Sequence, residues 1–217
     1  MRIAFCGSQG TGKSTLVPLL SKKFNIPVMN KTTQEVMDEF GFKSQDDVLS
    51  DPGKTGIYFQ TAMIKSRHDF FKEKNLTGQT NYITDRTPLD SWAYFLVHNS
   101  YYATDEQSEH LYKLVKESSE YFDYVFTLSP GLFQVEDNGV RNTKIFYQKT
   151  IQTVIEHNAL DVGFKLIQVP QSVLSIEDRV EWIYDYVKTY EETKKAEKIG
   201  TSEGRYYEDL ISYLSDK

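Results

Sequence analysis

Residues 7–14, Gly-Ser-Gln-Gly-Thr-Gly-Lys-Ser, match the pattern G-x-x-x-x-G-K-[ST] at every fixed position, and no other stretch restricts the possible folds as tightly. Such a loop works between a buried strand and a helix. Residues 2–6 (Arg-Ile-Ala-Phe-Cys) form a short, mostly apolar run of the kind a parallel strand uses. From Lys13 onward, Leu16, Val17, Leu19, Leu20 and Phe24 fall at helical spacing. The glycines let the chain take positive φ and turn successive N–H groups toward one point, to which the helix adds its N-terminal partial charge. This is a cradle for phosphates, in which Gly7, Gln9, Gly10, Thr11 and Gly12 would supply backbone. Lys13 would reach the β- and γ-phosphates, Ser14 would hold Mg²⁺, and Thr15 would bond the α-phosphate.

The remaining chain alternates strand-like and helix-like segments. Strands are expected at residues 26–29, 82–84, 124–128 and 164–169, with Asp85 at the carboxyl end of the third strand. Helices are expected from a Thr32 or Thr33 cap, over 54–74, over 89–97 after Pro88, and over 105–120, 144–158 and 176–190. Residues 41–53 read as a loop or broken helix. Residues 129–143 carry Pro130-Gly131 and Asn138-Gly139 and close on Arg141, the composition of a lid. The expectation is one α/β domain over 1–190, a parallel five-stranded sheet with helices on both faces. A charged tail follows over 191–217, with a short helix near 206–214.

The charge of −6, from 25 basic and 31 acidic side chains, disfavours a long nucleic acid as partner. With Cys6 alone, neither a disulfide framework nor a cysteine-rich zinc site is available, and the four His lack metal-ligand spacing. No apolar run of about 18 residues and no signal segment is present, so a cytoplasmic protein without a membrane contact is expected. Aromatics make up 14% of the chain. Phe5, Tyr124 and Phe126 lie in expected strands and should build core, leaving few rings for ligand stacking.

A phosphate loop serves switches, motors and kinases alike, so other residues must decide. No Asn-Lys-x-Asp guanine reader occurs. Asp85 stands where open α/β sheets place ligands, able to bind Mg²⁺ through water or to accept a proton. Arg86 beside it, Arg141 in the lid and, more weakly, Lys144 are cations suited to a transferring phosphoryl group. Gln60 presents an amide able to match the edge of a base, and Arg67 lies about two turns further along the same helix.

Tyr58-Phe59-Gln60-Thr61, followed by Arg67, resembles the Phe-Gln helix segment of deoxynucleoside kinases, and Thr84-Asp85-Arg86-Thr87-Pro88-Leu89-Asp90 resembles their acidic-Arg-Ser/Thr motif. The overall spacing over residues 2–185 is also similar to ribosylnicotinamide-type kinases and to AAA-like kinases of phage genomes. The resemblance implies a three-layer P-loop NTPase fold and Mg²⁺/ATP-dependent transfer of a phosphoryl group to a nucleoside or nucleotide. It further implies that Gln60 pairs with the acceptor base while Tyr58 and Phe59 line its pocket.

That family places a Glu just after strand two; here the segment is Asn30-Lys31-Thr32-Thr33-Gln34-Glu35, so Glu35 and Asp85 both stand as candidates for the acceptor's base. Lys31 would suit an acceptor that already carries a phosphate. Two rival readings remain open: a kinase of a hydroxymethylated base within DNA, and a regulatory ATPase or nucleotide sensor. A homodimer is compatible with either. Residues 170–173 are the expected adenine contacts by position.

Overall fold

Strand β1 (Arg2–Cys6) is buried on both faces, which fixes the three layers of the molecule. A computed structural model describes residues 1–42, 48, 50–131 and 144–199. Along the chain follow α1 (Lys13–Phe24), α2 (Thr33–Phe40), α3 (Ile57–Leu76), β2 (Tyr82–Asp85), α4 (Pro88–His98), α5 (Asp105–Ser118), β3 (Tyr124–Thr127), α6 (Ile145–Asp161), β4 (Leu166–Gln168) and α7 (Ile176–Ile199). The strand order is β2-β1-β3-β4 and every pairing is parallel.

Side-chain alternation along β1 assigns the faces. Ile3 and Phe5 pack with Leu16 and Leu20 of α1 and with Val180, Ile183 and Val187 of α7. Ala4 and Cys6 turn to the other face, onto Ile64, Leu89, Phe95, Val115 and Ile151 of α3 to α6. Phe5, Tyr124 and Phe126 are core as expected, Phe5 stacking on Phe126 at 5.6 Å between ring centroids. Each such buried aromatic or aliphatic side chain is worth about 1.5–3 kcal/mol relative to exposure.

Four strands form the sheet among the described residues, where five were expected. Residues 26–29 reach it through a single parallel bridge, Val28 to Ile83. Ile83 N–H donates to the Pro27 carbonyl at 3.0 Å, and Met29 N–H to the Ile83 carbonyl at 2.9 Å. Pro27 has no N–H to give and Val28 is exposed, so the pairing stops there. The last strand is also shorter than 164–169, although Val169 N–H still reaches the Thr127 carbonyl at 3.0 Å.

Two helix limits differ from expectation. Ahead of α3, Pro52–Gly56 wind into a π-turn whose start is capped by Asp51, accepting from Lys54 N–H and Thr55 N–H at 3.1 and 3.2 Å. Helix α7 passes residue 190 without a break and continues to Ile199. Most of the expected lid, with Arg141, and the short helix expected near 206–214 lie outside the described residues.

Candidate active site

The carboxyl ends of β1 and β2 sit side by side, Phe5 opposite Asp85, and they bring the loop of residues 7–14 against the start of α4. Gly7, Gly10 and Gly12 have φ of 132°, 77° and 92°. Gly7 has a second reason to be glycine: a Cβ there would stand 3.0 Å from Gln152 Oε1. The loop is held from behind. Gly7 N–H donates to Asp90 Oδ1 and Ser8 N–H to Gln152 Oε1, both at 3.0 Å. Arg179 Nε donates to the Val173 carbonyl at 3.0 Å and its Nη1 to the Thr11 carbonyl at 3.4 Å, joining the loop before α7 to the glycine loop.

Lys13 is only 3% exposed, and its Nζ donates to the Ser8 carbonyl at 2.6 Å and to Thr11 Oγ1 at 3.0 Å. Burial, followed by the nearby Arg86, pulls its pKa down to about 7, while Asp85 and Asp90 oppose the shift. An anion placed at the loop would favour its charged form.

Asp85 ends β2. Its backbone N–H and the Thr84 hydroxyl both donate to Asn30 Oδ1, at 2.8 and 2.9 Å. Its Oδ2 accepts from Ser14 Oγ at 2.5 Å, and its Oδ1 is buried with no partner among the described residues. A serine hydroxyl and a carboxylate with a free oxygen make a hard-oxygen donor set, which fits Mg²⁺.

Arg86 is held at φ 90°, a conformation unusual for a side-chain-bearing residue, with its N–H on the Phe5 carbonyl at 2.8 Å. The strained turn sends its guanidinium back to the Gly7 carbonyl at 2.5 Å and to Asp90 Oδ1 at 2.9 Å. Burial lowers its pKa, but Asp90, Tyr94 and Asp85 outweigh that and leave it above the ordinary value. Asp90 is fully buried and accepts from four donors, since Thr87 N–H and Oγ1 reach Oδ2 at 2.8 and 3.0 Å.

The acceptor candidates separate. Arg67 is 5% exposed, with Nη1 on Ser91 Oγ at 2.6 Å and Nε on the Lys31 carbonyl at 3.3 Å. Gln60 lines a cavity of about 260 Å³ with Pro52, Val97, His98, Asn99 and Tyr102. Phe59 turns away into a separate cluster with Val36, Met37 and Met63, and Tyr58 lies on the surface between Phe40 and Phe42. The Lys31 ammonium pairs with Glu39 at 2.7 Å. Glu35 closes a capping box on α2, its Oε2 accepting from Thr32 N–H and Oγ1 at 2.7 Å each, and those bonds lower its pKa. Lys144 is exposed at the start of α6.

Sequence reading missed Asp90, Gln152, Arg179 and His98 as members of this neighbourhood. His98 shares a helix face with Asp90 and Tyr94 at four-residue steps, a signal present in the sequence, and its Nε2 lies 2.9 Å from Tyr147 Oη. A larger depression of about 450 Å³ between α1 and α7, bordered by Leu19, Lys22, Ile176 and Glu181, is formed by surface residues away from Lys13 and Asp85.

A family model described as AAA domain matches residues 2–179. Among solved structures, deoxyadenosine kinase from M. mycoides with bound dCTP is 19% identical with a TM-score of 0.63, over 87% of this chain and 100% of that one. The NadR protein in complex with NR is 17% identical with a TM-score of 0.55, over 76% of this chain and 42% of that one. Shikimate kinase from Aquifex aeolicus is 18% identical with a TM-score of 0.50, over 88% and 98%. These likenesses are ones of fold, that of P-loop kinases. No curated protein matches the sequence.

Proposed function

Since the chain belongs to the AAA domain family over residues 2–179, we propose that it transfers the γ-phosphoryl group of ATP to a nucleoside or nucleotide. One observation carries this reading: Ser14 Oγ and Asp85 Oδ2 meet at 2.5 Å, beside an Asp85 oxygen with no partner among the described residues, and Arg86 and the buried Arg67 stand next to that pair. A loop serine and a strand-end carboxylate hold Mg²⁺ in triphosphate switches and in kinases alike. The guanidinium groups of Arg67 and Arg86 beside that pair are what a second, accepting ligand would use.

Each residue then has work to do. The Gly7 and Ser8 amides are occupied by Asp90 and Gln152, so the donors for phosphate lie further along the loop and in the first turn of α1. Lys13 exchanges its Ser8 and Thr11 partners for the β- and γ-phosphates, and Thr15 adds a hydroxyl at the α-phosphate. Ser14 and Asp85 would hold Mg²⁺, which supplies charge neutralisation across the donor phosphates. Arg86, fixed by Asp90, and Arg141 offset charge on the phosphoryl group in flight, where positioning and electrostatics provide most of the acceleration. Gln60, at its cavity between α3 and α4, contacts the acceptor's base. Names carried by structures of like fold, deoxyadenosine kinase among them, support this acceptor class.

The test is a screen of nucleosides and nucleotides against γ-labelled ATP and Mg²⁺. Label is expected on an acceptor. ATP hydrolysis at one rate with every candidate acceptor, and no labelled product, overturns the reading in favour of a regulatory ATPase.

A further inference from the structure

Five ionisable side chains converge behind the loop and β2: Lys13, Arg67 and Arg86 against Asp85 and Asp90. Arg86 is paired with Asp90 at 2.9 Å, and Asp85 accepts from Ser14. Arg67 is left over. It is 95% buried, and among the described residues it meets a serine hydroxyl and a backbone carbonyl but no carboxylate. A buried cation with no carboxylate in contact is costly, and an anionic ligand placed against it would supply the missing charge.

Its place says where that charge would come from. Lys31, whose carbonyl takes Arg67 Nε, directly follows Asn30, which holds the Asp85 N–H. Ser91, which takes Nη1, directly follows Asp90. The guanidinium therefore belongs to the reacting end of the groove, next to Arg86, and about 10 Å along α3 from Gln60 at seven residues' rise.

We infer that the acceptor is a nucleoside 5′-monophosphate, whose phosphate is received by Arg67 beside Arg86. This deepens the kinase reading and rests on it. Two cations of this kind present planar donor forks to phosphate oxygens. Burial, resisted by Asp90, also brings the Arg67 pKa down to about 10, as for a cation short of partners.

The chemistry fits the carboxylates present. A hydroxyl acceptor must lose a proton, yet Glu35 is held in its capping box, Asp90 accepts four donors, and Asp85 is taken up by Ser14 and the Mg²⁺ it would hold. An oxygen of a monophosphate is already ionised at neutral pH. That oxygen forms the new bond to the γ-phosphorus. The bond from that phosphorus to the β,γ-bridging oxygen breaks, its electron pair leaves with ADP, and a nucleoside diphosphate results without proton transfer.

The experiment compares dAMP, dCMP, dGMP and dTMP with the four matching nucleosides as acceptors for the full chain. At least one monophosphate should be used in preference to its nucleoside. Arg67→Met should raise the monophosphate KM by about 10–100-fold, the loss expected for charged hydrogen bonds, with the effect on this KM rather than on that for ATP. Ser91→Asp, which gives Arg67 a carboxylate without removing it, should act in the same direction. Preferred use of nucleosides, or an unchanged monophosphate KM in folded Arg67→Met and Ser91→Asp, overturns the inference and leaves the kinase reading intact. If nothing is phosphorylated, the kinase reading fails, and calorimetry decides the inference separately. Monophosphate binding that Arg67→Met abolishes upholds it; no monophosphate binding overturns it.

Discussion

On the donor side of the cleft, the glycine loop is tied down before any ligand arrives: Asp90 holds Gly7, Gln152 holds Ser8 and Arg179 holds the Thr11 carbonyl. Across the cleft, at the end of β2 and on α3, Asp85 keeps one buried oxygen without a partner among the described residues, and Arg67 touches no carboxylate among them. The loop is preorganised by protein partners, whereas the end of β2 and the facing side of α3 carry polar groups that a ligand could complete. That contrast is what a phosphotransferase needs if its donor is constant in chemistry and its acceptor supplies specificity.

Removing a tie on the donor side should therefore cost stability as well as activity. Asp90→Ala deprives Gly7, Arg86 and Thr87 of a buried carboxylate, and a loss of about 3–5 kcal/mol is expected for breaking such a pair. Urea unfolding measures it. A loss below about 1 kcal/mol would place Asp90 among ordinary surface acids and dissolve the contrast.

Lys13→Met removes the cation that must move from protein partners to phosphates. Loss of one such donor is worth about 10²–10³-fold in kcat, read from initial rates with saturating acceptor. A smaller effect on kcat than on the KM for ATP would reduce Lys13 to a ground-state contact.

Legibility in the sequence followed the same division. The loop is eight consecutive residues, so its geometry is local and could be read directly. Asp85 was visible because a strand ending in an acid before Arg and Pro is also local. Gln152 and Arg179 reach the loop from the far end of the chain, on helices whose orientation depends on how the sheet is layered. No short-range pattern carries that. Phe59 looked like a pocket residue beside Gln60, but α2 covers that face of α3 and takes the ring into its own cluster. The strand at 26–29 was read from its apolar run, and Pro27 limits it to one bridge.

The pH response of Lys13 tests the donor side more finely. Its pKa is about 7 in the folded protein against 10.5 ordinarily, so the unfolded chain binds the extra proton between these values. The free protein's stability should then rise with pH across that window, and this component should vanish in Lys13→Met. Triphosphate binding works in the opposite sense. The bound lysine is charged, so above pH 7 binding takes up a proton, and affinity falls toward tenfold per unit of pH. Calorimetry at pH 8 in buffers of different ionisation heat should record uptake approaching one proton. Zero uptake would mean that Lys13 is already charged in the free loop.

The smallest effect concerns Glu35, where sequence and structure pull apart. A base for a hydroxyl acceptor and a capping acid are distinguishable because Gln serves the cap nearly as well but cannot take a proton. Glu35→Ala should lose about 0.3–1.5 kcal/mol of stability through the α2 capping box. Glu35→Gln should keep most of that stability. If the carboxylate serves only Thr32, kcat in Glu35→Gln stays within about twofold of the parent. A fall of about 10² or more in a folded Glu35→Gln would instead return Glu35 to proton transfer, because general-base catalysis is worth that much. It would also favour a hydroxyl over a phosphate as the attacking group, so this substitution weighs the two acceptor chemistries without touching Arg67.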